Sequence, residues 1–138
     1  MRDEGLNRPK PDIVVSEDDY DRLNGLARAA LGRTPEVARE LLAELDRARV
    51  VDTAVMPPDV VRMGSLVHFS LDDSEPRWAR LVFPVQADIA AGRISILTPV
   101  GTALLGLAAG QSIMWAARDG RPQQLNVLTV EKAEALTA

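Results

Sequence analysis

The sequence predicts an α+β chain, a short N-terminal antiparallel helical hairpin followed by an antiparallel sheet with one short helix. Two apolar-striped segments separated only by Gly32 and Arg33 predict the hairpin, because so short a link forces neighbouring helices to run antiparallel. From about Val50 onward, short alternating runs punctuated by Gly and Pro predict the sheet. The 138 residues, 46% hydrophobic and 26% charged, suffice for one compact body with an appendage. The expected division is a tail over 1–12, a hairpin over 13–49 and a sheet domain over 50–138.

Residues 1–12 hold Pro9 and Pro11 among mixed charges without periodicity, and read as a loose tail. Ser16 to Leu31 reads as a helix. Ser16 can cap it, and Glu17, Asp18 and Asp19 place negative charge beside its free N–H groups. Tyr20, Leu23, Leu26, Ala27, Ala30 and Leu31 form its apolar stripe, and Gly32 marks a left-handed stop. Thr34 as cap and Pro35 at the first helical position start a second helix, striped by Val37, Leu41, Leu45 and Ala48. Pairs of helices this short are marginal alone, so the hairpin must lean on the rest of the chain.

Pro57 and Pro58 end the helical pattern. Strands are expected at Val60–Val61, Leu66–Leu71, Trp78–Val85 and Arg93–Leu97, with a polar turn at Asp72–Pro76. Val100–Leu107 reads as the short helix. Ser112–Ala117 and Leu125–Val130 read as a β-hairpin around a turn at Arg118–Pro122.

Several function classes fall away on composition. With no Cys and only His68, disulfides, thiolate chemistry and Cys- or His-rich metal sites are excluded. A net charge of −4 argues against strong nucleic-acid binding by phosphate neutralisation. No apolar run approaches the roughly 20 residues of a membrane span, and the first residues lack a signal-peptide pattern, so the expected compartment is the cytoplasm.

Chemistry is sparse. The glycines fit neither phosphate-loop nor dinucleotide spacing. Ser65, Ser95 and Thr102 are possible nucleophiles, with His68 the only imidazole to serve them, and it lies in an alternating strand. Asp18, Asp19 and Asp21 read as helix-terminus electrostatics, and Asp72, Asp73 and Glu75 as solvated turn acids. Between Asn24 and Arg39 the only acid is Glu36, against Arg28, Arg33 and Arg39, so the hairpin tip is mildly basic. The segment Thr98–Trp115 packs small and apolar residues around three glycines. It reads as core and turn, or as a patch for a partner.

Five segments in order carry a resemblance: ELDRA (Glu44–Ala48), PPDVVRMGS (Pro57–Ser65), LVFP (Leu81–Pro84), TPVGTALLGL (Thr98–Leu107) and GQSIMW (Gly110–Trp115). Together they resemble the regulator of nucleoside diphosphate kinase (Rnk) family, related to the GreA/GreB transcript-cleavage factors, over roughly residues 12–130. The chain departs from that family's pattern at Arg62 and Gly64, where Thr and Asn are usual, at Phe83, where Tyr is usual, and in its tail EKAEALTA.

The resemblance implies a short antiparallel coiled coil followed by an FKBP-like α+β domain, and binding to bacterial RNA polymerase. Gre-type factors dock the C-terminal domain at the rim of the secondary channel and insert the coiled coil toward the active site. In the cleavage factors an acidic pair at the tip helps hold a second Mg²⁺ that activates water. The apex here, Ala30-Leu31-Gly32-Arg33-Thr34, has no such pair. The expectation is therefore a non-catalytic regulator that competes with Gre-type factors without stimulating cleavage and regulates nucleoside diphosphate kinase levels. Its expected contacts are Leu31, Arg33 and Glu36 at the apex and Leu104 and Leu105 in the sheet domain. No catalytic residue, cofactor, metal, membrane or sequence-specific nucleic-acid partner is expected, and the chain is expected to be a monomer or weak homo-oligomer. The alternatives are a peptidyl-prolyl isomerase, suggested by the FKBP-like fold, and an oligomerisation module that pairs the hairpin stripe between chains. Against the isomerase stand the few aromatics available to line a pocket: Tyr20, Phe69, Trp78, Phe83 and Trp115.

Overall fold

A computed structural model of the chain describes residues 10–72, 74–116, 121–134 and 136. The tail through Pro9, Asp73, Ala117 at the end of the expected strand, residues 118–120 of the expected last turn and parts of the EKAEALTA tail lie outside the described residues. Strand β1 (Val14–Ser16) leads into helix α1 (Glu17–Ala30). Helix α2 (Pro35–Arg47) returns and runs into β2 (Arg49–Val51). The body follows as β3 (Leu66–Leu71), β4 (Arg77–Val82), β5 (Arg93–Ser95), helix α3 (Pro99–Leu104), β6 (Ser112–Ala116) and β7 (Pro122–Glu131).

The hairpin forms for the reasons its sequence supplies. Ser16 Oγ accepts the N–H of Asp19 at 3.2 Å, capping α1. Leu23, Ala27 and Ala30 on α1 and Ala38, Leu41 and Leu45 on α2 are all buried. The alanines near the tip let the two backbones approach closely, while the leucines nearer the base reach the body. Two local expectations are corrected at the turn. Gly32 has no positive φ. Instead the N–H groups of Arg33 and Thr34 both donate to Ala30 O, at 3.0 and 2.8 Å, which satisfies the last carbonyl without a left-handed residue. Thr34 makes no side-chain cap, because its hydroxyl donates backward to the same Ala30 O at 3.4 Å.

β1 and β2 pair in parallel, Val14 opposite Arg49 and Ser16 opposite Val51, with the hairpin as their crossover. The main sheet has the order β5-β4-β3-β7-β6. Its pairs are antiparallel except at one edge, where β4 and β5 run parallel, so the sheet is mixed rather than wholly antiparallel. Val60–Val61 is not a strand but a single bridge, Val60 to Ala108. The predicted Trp78–Val85 strand ends at Val82, where a short 3₁₀ turn begins at Pro84. Arg93–Leu97 is strand only through Ser95, because Ser95 Oγ accepts from Leu97 N and turns the chain toward α3. A bulge at His68/Phe69 leaves Leu128 of β7 unpaired and 44% exposed.

One continuous core runs from the hairpin base into the sheet. It joins Leu23, Leu41 and Leu45 to Ile13, Val15, Phe69, Leu81, Leu104 and Leu125. Helix α3, capped by Thr98 Oγ1 accepting from Gly101 N at 3.0 Å, packs against α2 and couples the two parts. Gly101 lies so close to the strand before it that a Cβ there would sit inside the van der Waals radius of Ser95 O. Gly101→Ala should therefore destabilise the chain by about 1–3 kcal/mol, read from the urea midpoint; an unchanged midpoint would contradict this packing.

Candidate functional site

The predicted apex residues lie at the hairpin turn. Leu31 is half-buried, and Arg33 and Glu36 are exposed. The apex thus carries one arginine and one glutamate at its surface, on arms of 14 and 13 residues, each about 20 Å long.

The expectation for Leu104 and Leu105 is corrected. Each is 1% exposed in the core at the end of α3, so neither side chain has a surface to offer a partner. The small-residue segment around them is helix and turn packed inward. Its apolar residues resemble an exposed patch only when read without the fold.

The nucleophile candidates are engaged in structure. Ser65 Oγ accepts from Arg62 N at 2.9 Å, Ser95 Oγ from Leu97 N at 3.0 Å, and Thr102 Oγ1 donates to Ile96 O at 2.9 Å. His68 stacks on Trp78 across β3 and β4, with ring centroids 4.5 Å apart and planes 12° apart. None of these three hydrogen bonds involves His68. No group of three or more His, Asp or Glu converges as a metal site among the described residues. Among these residues, no helix is long and apolar enough to cross a membrane.

Asp19 is the residue whose role sequence reasoning missed. Three successive acids look like a solvated helix start, yet Asp19 is 5% exposed. Its Oδ2 accepts the N–H of Met63 at 3.0 Å, tying α1 to the Arg62–Ser65 loop of the body. The signal was its spacing: Asp19 stands four residues before Leu23, on the same stripe as Leu23 and Ala27. Burial raises its pKa above the ordinary 3.8, opposed by the Met63 N–H and by Arg62 and Arg22.

The ELDRA segment has a similar structural content. Glu44 is 5% exposed, and it accepts from Lys10 Nζ at 3.0 Å and Arg47 Nη2 at 2.8 Å. Arg47 also donates to Pro11 O at 2.7 Å, which fastens the start of the described chain to α2.

Beside Asp19 lies a cleft of about 760 Å³, between α1, the loop from Met56 to Ser65 and the segment after β7. Arg22 and Arg62 line it, and no aromatic side chain among the described residues does. It is thus unlike an aromatic-lined prolyl-isomerase pocket. Of the expected aromatics, Phe69 and Phe83 are in the core and Trp78 lies on the sheet face against His68.

The buried carboxylate generates a prediction. Because the folded state raises its pKa, the folded chain binds this proton more tightly than the unfolded one. Asp19 therefore destabilises fully above its folded pKa, and that cost disappears as pH falls through the folded value toward 3.8. Asp19→Asn keeps an acceptor for Met63 N–H and should abolish this pH dependence without loss of stability at neutral pH. Asp19→Ala should cost about 1–3 kcal/mol by leaving the N–H unpaired. Urea unfolding of the three proteins between pH 4 and 7 checks both statements, and identical pH profiles for the native and Asp19→Asn chains would refute the first.

Comparison with known proteins agrees with this architecture. A family model described as "Transcription elongation factor, GreA/GreB, C-term" matches residues 56–132, and one described as "Rnk N-terminus" matches residues 11–51. The regulator of nucleoside diphosphate kinase of Escherichia coli K12 is 38% identical over 123 residues, covering 88% of this chain and 90% of that protein. A GreA/GreB transcription elongation factor structure from Nitrosomonas europaea superposes with a TM-score of 0.70 at 39% identity, covering 87% of this chain and 99% of that one. Transcription elongation factor GreA of Rhodospirillum rubrum is 39% identical over 83 residues, which are 59% of this chain and 53% of that protein. Since both parts match in order and an Rnk protein aligns over nearly its whole length, the chain belongs to the Rnk family, within the wider GreA/GreB group.

Proposed function

We propose that the chain is a non-catalytic regulator that binds bacterial RNA polymerase at the rim of the secondary channel and directs its helical hairpin into the opening. It competes there with Gre-type cleavage factors, does not stimulate transcript cleavage, and regulates nucleoside diphosphate kinase levels. The apex carries this reading. Holding a second Mg²⁺ requires oxygen ligands brought together at the tip. Here the exposed tip residues are Arg33 and Glu36, one charge of each sign, and the arms are short. The membership in the Rnk family supports the same partner. Leu31, Arg33 and Glu36 are the proposed contacts, with occupancy of the opening rather than reaction as the outcome.

The test uses purified chain, core polymerase and a GreA competitor. Retention on polymerase, reduction of that retention by GreA, and no stimulation of cleavage in backtracked complexes are expected. Failure to bind polymerase, or clear stimulation of cleavage, would overturn the proposal. Arg33→Glu reverses an exposed tip charge and should weaken retention several-fold while leaving the melting temperature unchanged, because surface substitutions of this kind shift stability by only about 0.5 kcal/mol.

A further inference from the structure

The segment after β7 does not trail into solvent but lies across the loop that holds Arg62, Met63 and Gly64. Glu134 N donates to Gly64 O at 3.0 Å. The Glu134 carboxylate lies 3.4 Å from Arg80 Nε and 3.5 Å from Arg93 Nη2. Further on, Leu136 O accepts from Arg22 Nη1 at 3.3 Å. Gly64 makes this close approach possible. Its φ is +91°, and a Cβ there would collide with Glu134 O.

The seat is only partly used. Both ion pairs are to a Glu134 side chain that is 39% exposed, where such pairs hold weakly. Arg62 Nε is buried with no hydrogen-bond partner among the described residues, beside the cleft of about 760 Å³ that the segment leaves open. Asp19 is the acid on the helix side of this cleft, and its Oδ2 is already engaged by Met63 N–H.

We propose that the surface formed by Gly64, Arg80 and Arg93, beside the cleft lined by Arg62, is a docking site for an extended acidic segment of a partner protein, and that Glu134 occupies it in cis as a built-in competitor. Recognition has two parts. A peptide N–H pairs with Gly64 O, and a carboxylate bridges Arg80 and Arg93. A partner that places a second acceptor on Arg62 Nε satisfies a donor that the chain's own segment leaves unpaired. The inference does not depend on polymerase binding, and its test needs no polymerase.

The probe is a fluorescent peptide with the sequence of residues 129–136, offered to the full chain and followed by anisotropy. Glu134→Gln in the full chain weakens the cis occupant and should tighten peptide binding about fivefold, the scale of exposed ion pairs. Adding Arg93→Ala to that chain should remove the gain. Equal binding to native and Glu134→Gln chains, no binding to either, or a gain that survives Arg93→Ala would overturn the proposal. Should Glu134→Gln impair folding, the native chain supplies the second measurement. Excess peptide should speed hydrogen exchange at the Glu134 amide, and unchanged exchange would overturn the proposal equally.

Discussion

The burial of the hairpin base against the sheet is the constraint on which the rest of this structure depends. Two helices of 14 and 13 residues cannot hold themselves in water, since isolated helices of that length are marginal. Leu23, Leu41 and Leu45 must therefore share one core with Leu81, Leu104 and Leu125. Helix α3 serves that need, standing under α2 and closing the space between hairpin and sheet. So does the pair of short parallel strands at the base, which brings Ile13 and Val15 inward as the chain enters and leaves the hairpin. The tip is left to solvent, because no apolar surface of the body reaches it.

Polar contacts then fix the joint that burial creates. Apolar packing has no direction, whereas the bond from Met63 N–H to buried Asp19 has one, and so does the Glu44 pairing with Lys10 and Arg47. Each carboxylate is nearly inaccessible and partnered, and each lies at the base rather than the apex. These two buried acids thus serve position, while the turn presents Arg33 and Glu36 to solvent.

The two long helices were legible because their 3.6-residue stripe is a local property, as were the cap at Ser16 and the strands of β3 and β7. What was not legible depends on distant partners. β1 and β2 are three-residue strands that exist only because each finds the other across the hairpin, and nothing in Val14–Ser16 alone announces a strand. The parallel pairing of β5 is likewise decided by the route of the chain around Asp88–Gly92. Leu104 and Leu105 misled because apolar residues among glycines read alike whether they face a partner or a core. Asp19 misled because it sits at a helix start, where charge is expected at the surface. The docked segment after β7 is invisible to pattern, because its contact with Gly64 joins residues seventy positions apart.

β7 is the last strand of the described chain, yet it lies between β3 and β6, inside the sheet rather than at its margin. Synthesis delivers the hairpin early and this strand late. The body that must support Leu23 and Leu41 stays incomplete until the strand from Pro122 has left the ribosome. Completion of the body consequently waits on contacts of high sequence separation, and a nascent chain arrested before Pro122 would hold its helices without a complete sheet to rest them on.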